Sequence, residues 1–414
     1  MSKVFKLAII GAGAAGLAAA AEASRLFGGA SVILIEKQQK IGRKLLATGN
    51  GRCNISNKNM SEAHYYGDRS IISSVIGEFG VSRLRRFFSE LGLLLREDSE
   101  GRLYPYSNQA VTVLDCFRNY LSKAGTAIQC DCRILRIEKN KGGFIIVTSE
   151  KQISAENIIA ACGSKASPSL GADDSGSKLM NELGIKYTRL FPALSPVETK
   201  EKYPSLKGVR AKGTVNVIAD DSIIRSKSGE IQFSDKGISG ICVFECSRPV
   251  NEYLLFGTAY GKKVKSISIE LDLMPDYNSD ELCRYLRGCK SIFKGQPAEL
   301  LLAGVLNKEL SRVIIKKSLS AKKLCHELTE EDIQKTAFQV KHLCFTPVKA
   351  DSFKTAQVCA GGIDSGYVCP DTLMSKKYKG LYICGEMLDV DGDCGRYNLH
   401  FAVASAIKAV RNIK

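Results

Sequence analysis

The strongest constraint on this chain lies at its N-terminal end. Val4-Phe5-Lys6-Leu7-Ala8-Ile9-Ile10 is an apolar run of strand length, followed at once by Gly11-Ala12-Gly13-Ala14-Ala15-Gly16 and then by the helix formers Leu17-Ala18-Ala19-Ala20-Ala21-Glu22. A second apolar strand, Ser31-Val32-Ile33-Leu34-Ile35, ends in Glu36. Strand, GxGxxG, helix, strand and acid in this spacing specify a βαβ unit that binds a dinucleotide. Gly11 permits the tight turn, Gly13 lets the backbone approach a pyrophosphate, and Gly16 lets helix and strand pack closely. The start of the helix, with Ala14 and Ala15 in its first turn, offers unpaired N–H groups and a positive dipole end to the phosphates. Glu36 is placed to accept the hydroxyls of a ribose.

The next segment, Lys37 to Asn57, extends the site. A loop rich in glycine, arginine and lysine directly after the ribose-binding acid suits a cofactor that continues past its pyrophosphate. A merely solvated basic loop would not need Gly49, Gly51 and the asparagines Asn50 and Asn54 so close together. Near the other end, Gly380-Leu381-Tyr382-Ile383-Cys384 reads as a short buried strand that ends in Gly385-Glu386. The loop Asp391-Gly392-Asp393-Cys394-Gly395 then turns into a helix beginning near Asn398 and running through Leu399, His400 and Phe401. That helix start also points N–H groups at whatever lies above it, and a dipole end there favours negative charge.

The stretch Gly42-Arg43-Lys44-Leu45-Leu46-Ala47-Thr48-Gly49-Asn50-Gly51-Arg52-Cys53-Asn54-Ile55-Ser56-Asn57 resembles the signature of a bacterial family of NAD(P)/FAD-dependent oxidoreductases among the glutathione-reductase-like flavoproteins. The resemblance covers almost the whole chain. Glu100 to Ser107, Ile158 to Gly163, Pro192 to Pro196, Phe233 to Gly240 and Gly380 to Gly392 match further family segments. Cys162 stands where the family usually has threonine, Asp235 and Ile241 replace a histidine and a proline, and Cys394-Gly395-Arg396-Tyr397-Asn398 replaces TGGYN. The resemblance implies FAD as cofactor. It assigns the cofactor to Gly11, Gly13, Ala14, Ala15, Gly16, Glu36 and Lys37, and to Arg43, Lys44, Gly51, Arg52, Cys53 and Asn54. Ile134, Ala161, Cys162 and Gly163 join them, with Gly385, Glu386, Asp391, Asn398 and Leu399 from the C-terminal segments. Tyr397, His400 and Tyr106 are the candidate catalytic residues, with Tyr104 a further possible proton donor. The helix dipole should lower the pKa of His400 and favour its neutral ring.

The expected architecture is α/β: a Rossmann-like FAD-binding domain with an inserted β-barrel domain and a small helical cap. The flavin-binding elements occupy 1–190 and 346–414. The barrel is expected at 191–275, from runs such as Gly213 to Ile218, Gly240 to Phe244 and Ser266 to Leu271, and the cap at 276–345. A chain of 414 residues accommodates two or three domains of ordinary size.

Absences narrow the chemistry. A second GxGxxG is missing, so NADH or NADPH is expected as a transient reductant rather than a resident of its own Rossmann domain. No CxxxxC follows the first fingerprint, as a flavin disulfide reductase would need. The 15 cysteines form no CxxC and the 4 histidines are scattered, so no metal site is expected and the thiols read as small buried hydrophobes. Lys plus Arg exceeds Asp plus Glu by 59 to 43, a net +16 that favours anionic partners. Arg312, Lys316, Lys317, Lys322 and Lys323 cluster without an acid between Leu310 and Cys325. They form either a solvated face or a funnel for an anionic ligand, and the lack of interleaved aromatics argues against nucleic acid. No run approaches the ~20 apolar residues of a membrane span, and no export signal precedes the first strand. The expected partner is a small anionic or apolar substrate, without nucleic acid or membrane, in a cytoplasmic protein. Two activities fit. One is reduction of a C=C bond conjugated to a ketone, as in the 3-oxo-Δ4 and Δ6 bile-acid intermediates that similar enzymes reduce. The other is oxidation of a small amino-ketone with O2, as in an aminoacetone oxidase similar to this family.

Overall fold

The computed structural model describes residues 3–320, 322–395 and 397–414. Strand β1 (Val4–Ile10), helix α1 (Ala14–Phe27) and strand β2 (Val32–Ile35) form the expected unit. β1 lies parallel to β2, with Leu7 opposite Val32 and Ile10 opposite Ile35. On its other side β1 lies parallel to the strand Gln152–Ala160, Ile10 facing Ala160, and β2 pairs in parallel with Ala127–Gln129. The end of Gln152–Ala160 pairs in parallel with Leu381–Ile383, while its start pairs antiparallel with Gly143–Thr148. These central strands are buried on both faces, which is why they read as unbroken apolar runs. Small side chains bring α1 close to its neighbours: Ala18, Ala19, Ala20 and Ala21 are buried, as are His400 to Val410 of the C-terminal helix Tyr397–Arg411.

All the parallel strands end at one edge of the sheet. Gly11, Glu36, Ala161 and Cys384 follow directly from them, the usual position of a ligand in such a fold.

The chain divides into two compact units, Met1–Phe191 with Val358–Lys414, and Pro192–Gln357. In the second unit seven antiparallel strands form one row beginning at Leu343–Phe345 and ending at Pro347–Lys349. These two end strands are separated only by Thr346, so the row closes on itself as a barrel. The helices Ser279–Ile292, Lys308–Ser318 and Glu330–Lys341 follow from the cap segment, the first and third opened by capping boxes at Asn278/Glu281 and Thr329/Asp332.

Three expectations change. The second unit extends to Gln357 rather than to 345. Barrel and cap are not separate bodies: Val215, Ile269 and Leu271 of the strands share one apolar core with Leu282, Leu286 and Ile314 of the helices. The run Gly240 to Phe244 is not a strand, because a helix occupies Ile241–Phe256. Its buried Cys242, Cys246 and Val250 recur every four residues, a helical period that the β-rich composition of the first five residues hides.

No disulfide joins any of the 15 cysteines. Among the described residues no cluster of three His, Cys, Asp or Glu could hold a metal, and no helix is long and apolar enough to cross a membrane.

Glu22, 1% exposed in the middle of α1, accepts from Arg25 at 2.8 Å and from Arg411 at 2.7 Å. Burial alone would raise its carboxyl, but the two guanidiniums outweigh burial and hold the pKa below the ordinary value. A depressed folded-state pKa gives stability that is present above the unfolded value and lost as pH falls through the folded one. Glu22→Gln should therefore cost about 2 kcal/mol at neutral pH in urea unfolding. The gap to the parent should close once the pH falls below the carboxylate range.

Candidate cofactor site

The glycine turn divides into two functions. Gly11 has φ +99°, and a Cβ there would lie 2.6 Å from the carbonyl oxygen of Ala161. A Cβ on Gly16 would lie 1.7 Å from the carbonyl oxygen of Gly11. Both are demanded by backbone packing. Gly13 differs: its φ of −78° suits any residue, and nothing stands within 4 Å of where its Cβ would be. It precedes the first turn of α1, which has no side-chain cap. The ground before Gly13 is thus an open cradle facing a helix N-terminus, with Ala14 half-buried and Ala15 buried beside it. Glu36 is locked at the end of β2, its two carboxylate oxygens accepting from the N–H groups of Ala12 (2.7 Å) and Gln38 (2.9 Å). Each oxygen keeps a further lone pair for a hydroxyl. The backbone N–H of Cys132 donates to the Glu36 carbonyl at 3.0 Å, bringing half-buried Ile134 and its strand alongside.

The basic loop is anchored where the N–H of Gly42 donates to the Ala12 carbonyl at 2.9 Å. From helix α2 (Arg43–Ala47), Lys44 reaches Glu386 at 2.9 Å, and Ser164 donates to the same carboxylate at 2.8 Å. Three distant segments therefore meet in one charge-balanced cluster. A narrow crevice of about 10 Å³ adjoins it, lined by Gly163, Ser164, Lys165, Tyr187, Gly362 and Glu386 among others. Lys37 is drawn into an ion pair with Asp173, and Arg43 donates to Gln38 at 2.7 Å. Arg52 lies over the Tyr104 ring, 5.0 Å from its centroid, and exposed Gly51 takes φ +81°. Cys53 is completely buried at φ +58°, and burial pushes its thiol up to about 12. Burial does the same to Cys162, which follows Ala161 at the strand end. Neither is a thiolate near neutral pH. Asn54 is 7% exposed, and its buried Oδ1 has no hydrogen-bond partner among the described residues, although such atoms are normally satisfied.

The C-terminal loop closes over this ground. Val390–Gly392 pairs antiparallel with Tyr65–Gly67. The Asn398 side chain accepts from the Gly392 N–H and donates to the Gly392 carbonyl, both at 2.8 Å. A Cβ on Gly395 would come 3.7 Å from Asn54 Nδ2, so the two glycine loops meet. Gly385 donates to Ser405 Oγ at 2.9 Å, and a Cβ there would lie 2.9 Å from that of Ala15. Asp391 is buried and Leu399 half-buried.

An open cradle at Gly13, a fixed acceptor at Glu36 and an orphaned amide at Asn54 fit a dinucleotide cofactor. Residues 5–412 match the HI0933-like protein Rossmann domain. The chain belongs to the HI0933-like family. It is 35% identical over 419 residues to 3-dehydro-bile acid delta(4,6)-reductase of Clostridium scindens, covering 98% of each chain. It is 27% identical over 421 residues to ribosomal RNA dihydrouridine synthase of Haemophilus influenzae, covering 100% of this chain and 99% of the other. Among solved structures, 3-ketosteroid delta1-dehydrogenase from Sterolibacterium denitrificans is similar with a TM-score of 0.48 and 11% identity, covering 100% of this chain and 99% of that one.

In this member of the HI0933-like family, two candidate catalytic residues are placed elsewhere than expected. His400 is fully buried, its Nε2 donating to the Phe79 carbonyl and its Nδ1 accepting from Ser56, each at 2.8 Å. Burial, rather than the helix dipole, lowers its pKa to about 4. It is a sealed packing residue whose one ring hydrogen is held by the Phe79 carbonyl, away from solvent. Tyr106 is 68% exposed beyond the strand Arg102–Pro105, with Arg96 against its ring. Tyr397 is 6% exposed, its ring stacked on His64 at 4.2 Å and 16°. Asn398 spends its amide on its own loop, so its contribution is to shape. His64, Ser164 and Asp393 were not expected. Asp393 lies in the glycine-rich C-terminal loop, but its meeting with His64 is not local, because the pairing of Tyr65–Gly67 with Val390–Gly392 joins segments more than 300 residues apart.

Gly13→Val should unfold at the temperature of the flavin-free parent and emerge from gel filtration without visible flavin absorbance, whereas Gly16→Ala should fail to fold stably. His400 sets a second expectation. Its folded-state pKa lies below the unfolded value, so the unfolded chain binds the extra proton and stability falls as pH drops from 6.5 toward about 4, by about 3 kcal/mol in all. In His400→Leu that slope should vanish from urea midpoints measured across this range, on a chain already weakened by the unpaired Ser56 hydroxyl and Phe79 carbonyl.

Proposed function

We propose that this chain is an FAD-dependent oxidoreductase that uses NADH or NADPH to reduce a C=C bond conjugated to a ketone, with a 3-oxo-Δ4 or Δ6 steroid as the model substrate. The observation that carries this reading is the likeness to a delta(4,6)-reductase at 35% identity over 98% of both chains. Residues at the sheet edge support it. Gly13 and the first turn of α1 would take the pyrophosphate, and Glu36 the adenosine ribose. Asn54 and the Asp391–Asn398 loop would border the isoalloxazine. Bound there, FAD supplies two-electron hydride transfer between nicotinamide and substrate.

The protein's own part is arrangement. Lys44 and Glu386 neutralise each other, so the cluster adds no net charge beside the ring. The N-terminal end of the helix Tyr397–Arg411 favours negative charge on the edge it faces. Protonated Cys53 and Cys162 offer no thiolate to attack the flavin or an enone. The net charge of +16 suits an anionic substrate.

A second reading has its own support in the relative described as a ribosomal RNA dihydrouridine synthase. The 5,6 double bond of uracil is also conjugated to a carbonyl, so the electronic demand is the same and only the carrier differs.

Anaerobic titration separates these readings. NADH or NADPH should bleach the flavin band, and a 3-oxo-Δ4 steroid should restore it within the time of a turnover. Recovery with a uracil-containing RNA but not with the steroid would move the assignment to RNA. Bleaching by small amines alone would make the protein an oxidase.

A further inference from the structure

With His400 sealed and Tyr106 on the surface, the site needs another source of protons, and a four-residue cluster beside the C-terminal loop has the required build. His64 Nδ1 lies 3.2 Å from Asp393 Oδ2. A carboxylate can only accept, so Nδ1 carries the hydrogen and Nε2 is left without a hydrogen-bond partner among the described residues. Asp393 is 3% exposed, and its other oxygen accepts from the Tyr66 hydroxyl at 3.0 Å. The Asp393 N–H donates to the His64 carbonyl at 2.9 Å, tying the two residues a second time. The imidazole lies flat on Tyr397. That platform is itself fixed, since Tyr65 packs edge-on against its ring at 5.8 Å and donates from its hydroxyl to the Tyr397 carbonyl at 2.9 Å.

The arrangement is that of a histidine aimed by a buried carboxylate, with its tautomer, plane and position all set. His64 also remains 31% exposed, so solvent can replace a proton it gives up. It sits at the first turn of the helix Tyr397–Arg411 and on the loop that meets Asn54. The sequence motifs place the flavin's edge on the same ground. Asp393, Tyr66 and Tyr397 are the titratable groups facing it among the described residues.

We infer that His64, positioned by Asp393, donates the proton that completes the reduction, an inference that rests on the function proposed above. Adding hydrogen across an enone requires a hydride at the β-carbon and a proton at the α-carbon. The hydride originates in NAD(P)H, which leaves as NAD(P)+. The proton comes from Nε2 of the imidazolium, whose charge Asp393 balances until it is given up. Neutral His64 then recovers a proton from water, so one NAD(P)H and one proton are consumed per C=C bond reduced.

The two half-reactions test this separately in the FAD-loaded protein. His64→Gln should retain its flavin and bleach with NAD(P)H at the parent's rate. Recovery of the flavin band on adding the enone should slow by about a hundredfold, the ordinary contribution of a positioned acid, in kcat rather than KM. The pH dependence of that step in the parent should be absent from the variant. Asp393→Asn should slow the same step less. Independently of turnover, ¹⁵N NMR should find His64 as the Nδ1–H tautomer in the parent and a mixture in Asp393→Asn. An unchanged recovery rate and pH profile in His64→Gln would overturn the assignment, as would flavin loss that accounts for the whole defect. If the parent itself never reoxidises with an enone, the proposed function fails first and His64 loses its role with it.

Discussion

Two points of backbone contact govern the cofactor site: Gly16 against the carbonyl of Gly11, and Gly11 against the carbonyl of Ala161. Neither leaves room for a single carbon atom. Because they close, α1 starts immediately above the ends of β1 and of the strand Gln152–Ala160. The register of those strands then brings Glu36, Cys162 and Gly385 to one edge. If the first contact were relaxed, the helix would rise off the sheet, taking the open ground at Gly13 with it. Side chains add to this frame without creating it. Glu36 is held by backbone N–H groups, Lys44 and Ser164 converge on Glu386, and Asn398 clasps the loop before it.

Charge in this unit is handled in pairs. Glu22 meets two arginines, Lys37 meets Asp173, Lys44 meets Glu386, and Lys408 at 6% exposure meets Glu78. A buried charge left alone would neutralise or destabilise the fold, so pairing is the condition for keeping ionised groups in it. Cys53, Cys162 and Cys384 follow the opposite course: burial keeps the first two thiols neutral and pushes the third up as well. His400 behaves likewise, its ring neutral and fully hydrogen-bonded. His64 is the histidine at this loop that keeps both a carboxylate partner and access to water.

How much of this was legible follows from how local each signal is. The glycine turn, both flanking strands and Glu36 sit within one short stretch, and the spacing alone places them correctly. The C-terminal strand and helix are legible for the same reason. Chemical roles were less so. His400 lies in a motif beside the expected flavin, but whether a histidine is sealed or exposed depends on Ser56 and Phe79, which come from other segments. His64 needed the long-range pairing of Tyr65–Gly67 with Val390–Gly392 to become visible. Gly240 to Phe244 misled because β-rich composition over five residues carries no period, whereas the buried positions of the following helix do. The boundary between barrel and cap was placed by texture, yet apolar residues from both form one core.

The insertion has a consequence for how the protein is made. The chain leaves the first unit after Phe191 and does not return until Val358, and the strand Leu381–Ile383 and the helix Tyr397–Arg411 are needed to complete its sheet edge and cover α1. Synthesis runs from the N-terminus, so the glycine turn emerges from the ribosome hundreds of residues before the elements that finish its surroundings. Until then its alanine-rich helix lacks the C-terminal helix that covers it, and the loop that meets Asn54 does not exist. A nascent chain halted inside the insertion therefore exposes the glycine turn without the C-terminal segments that complete its surroundings.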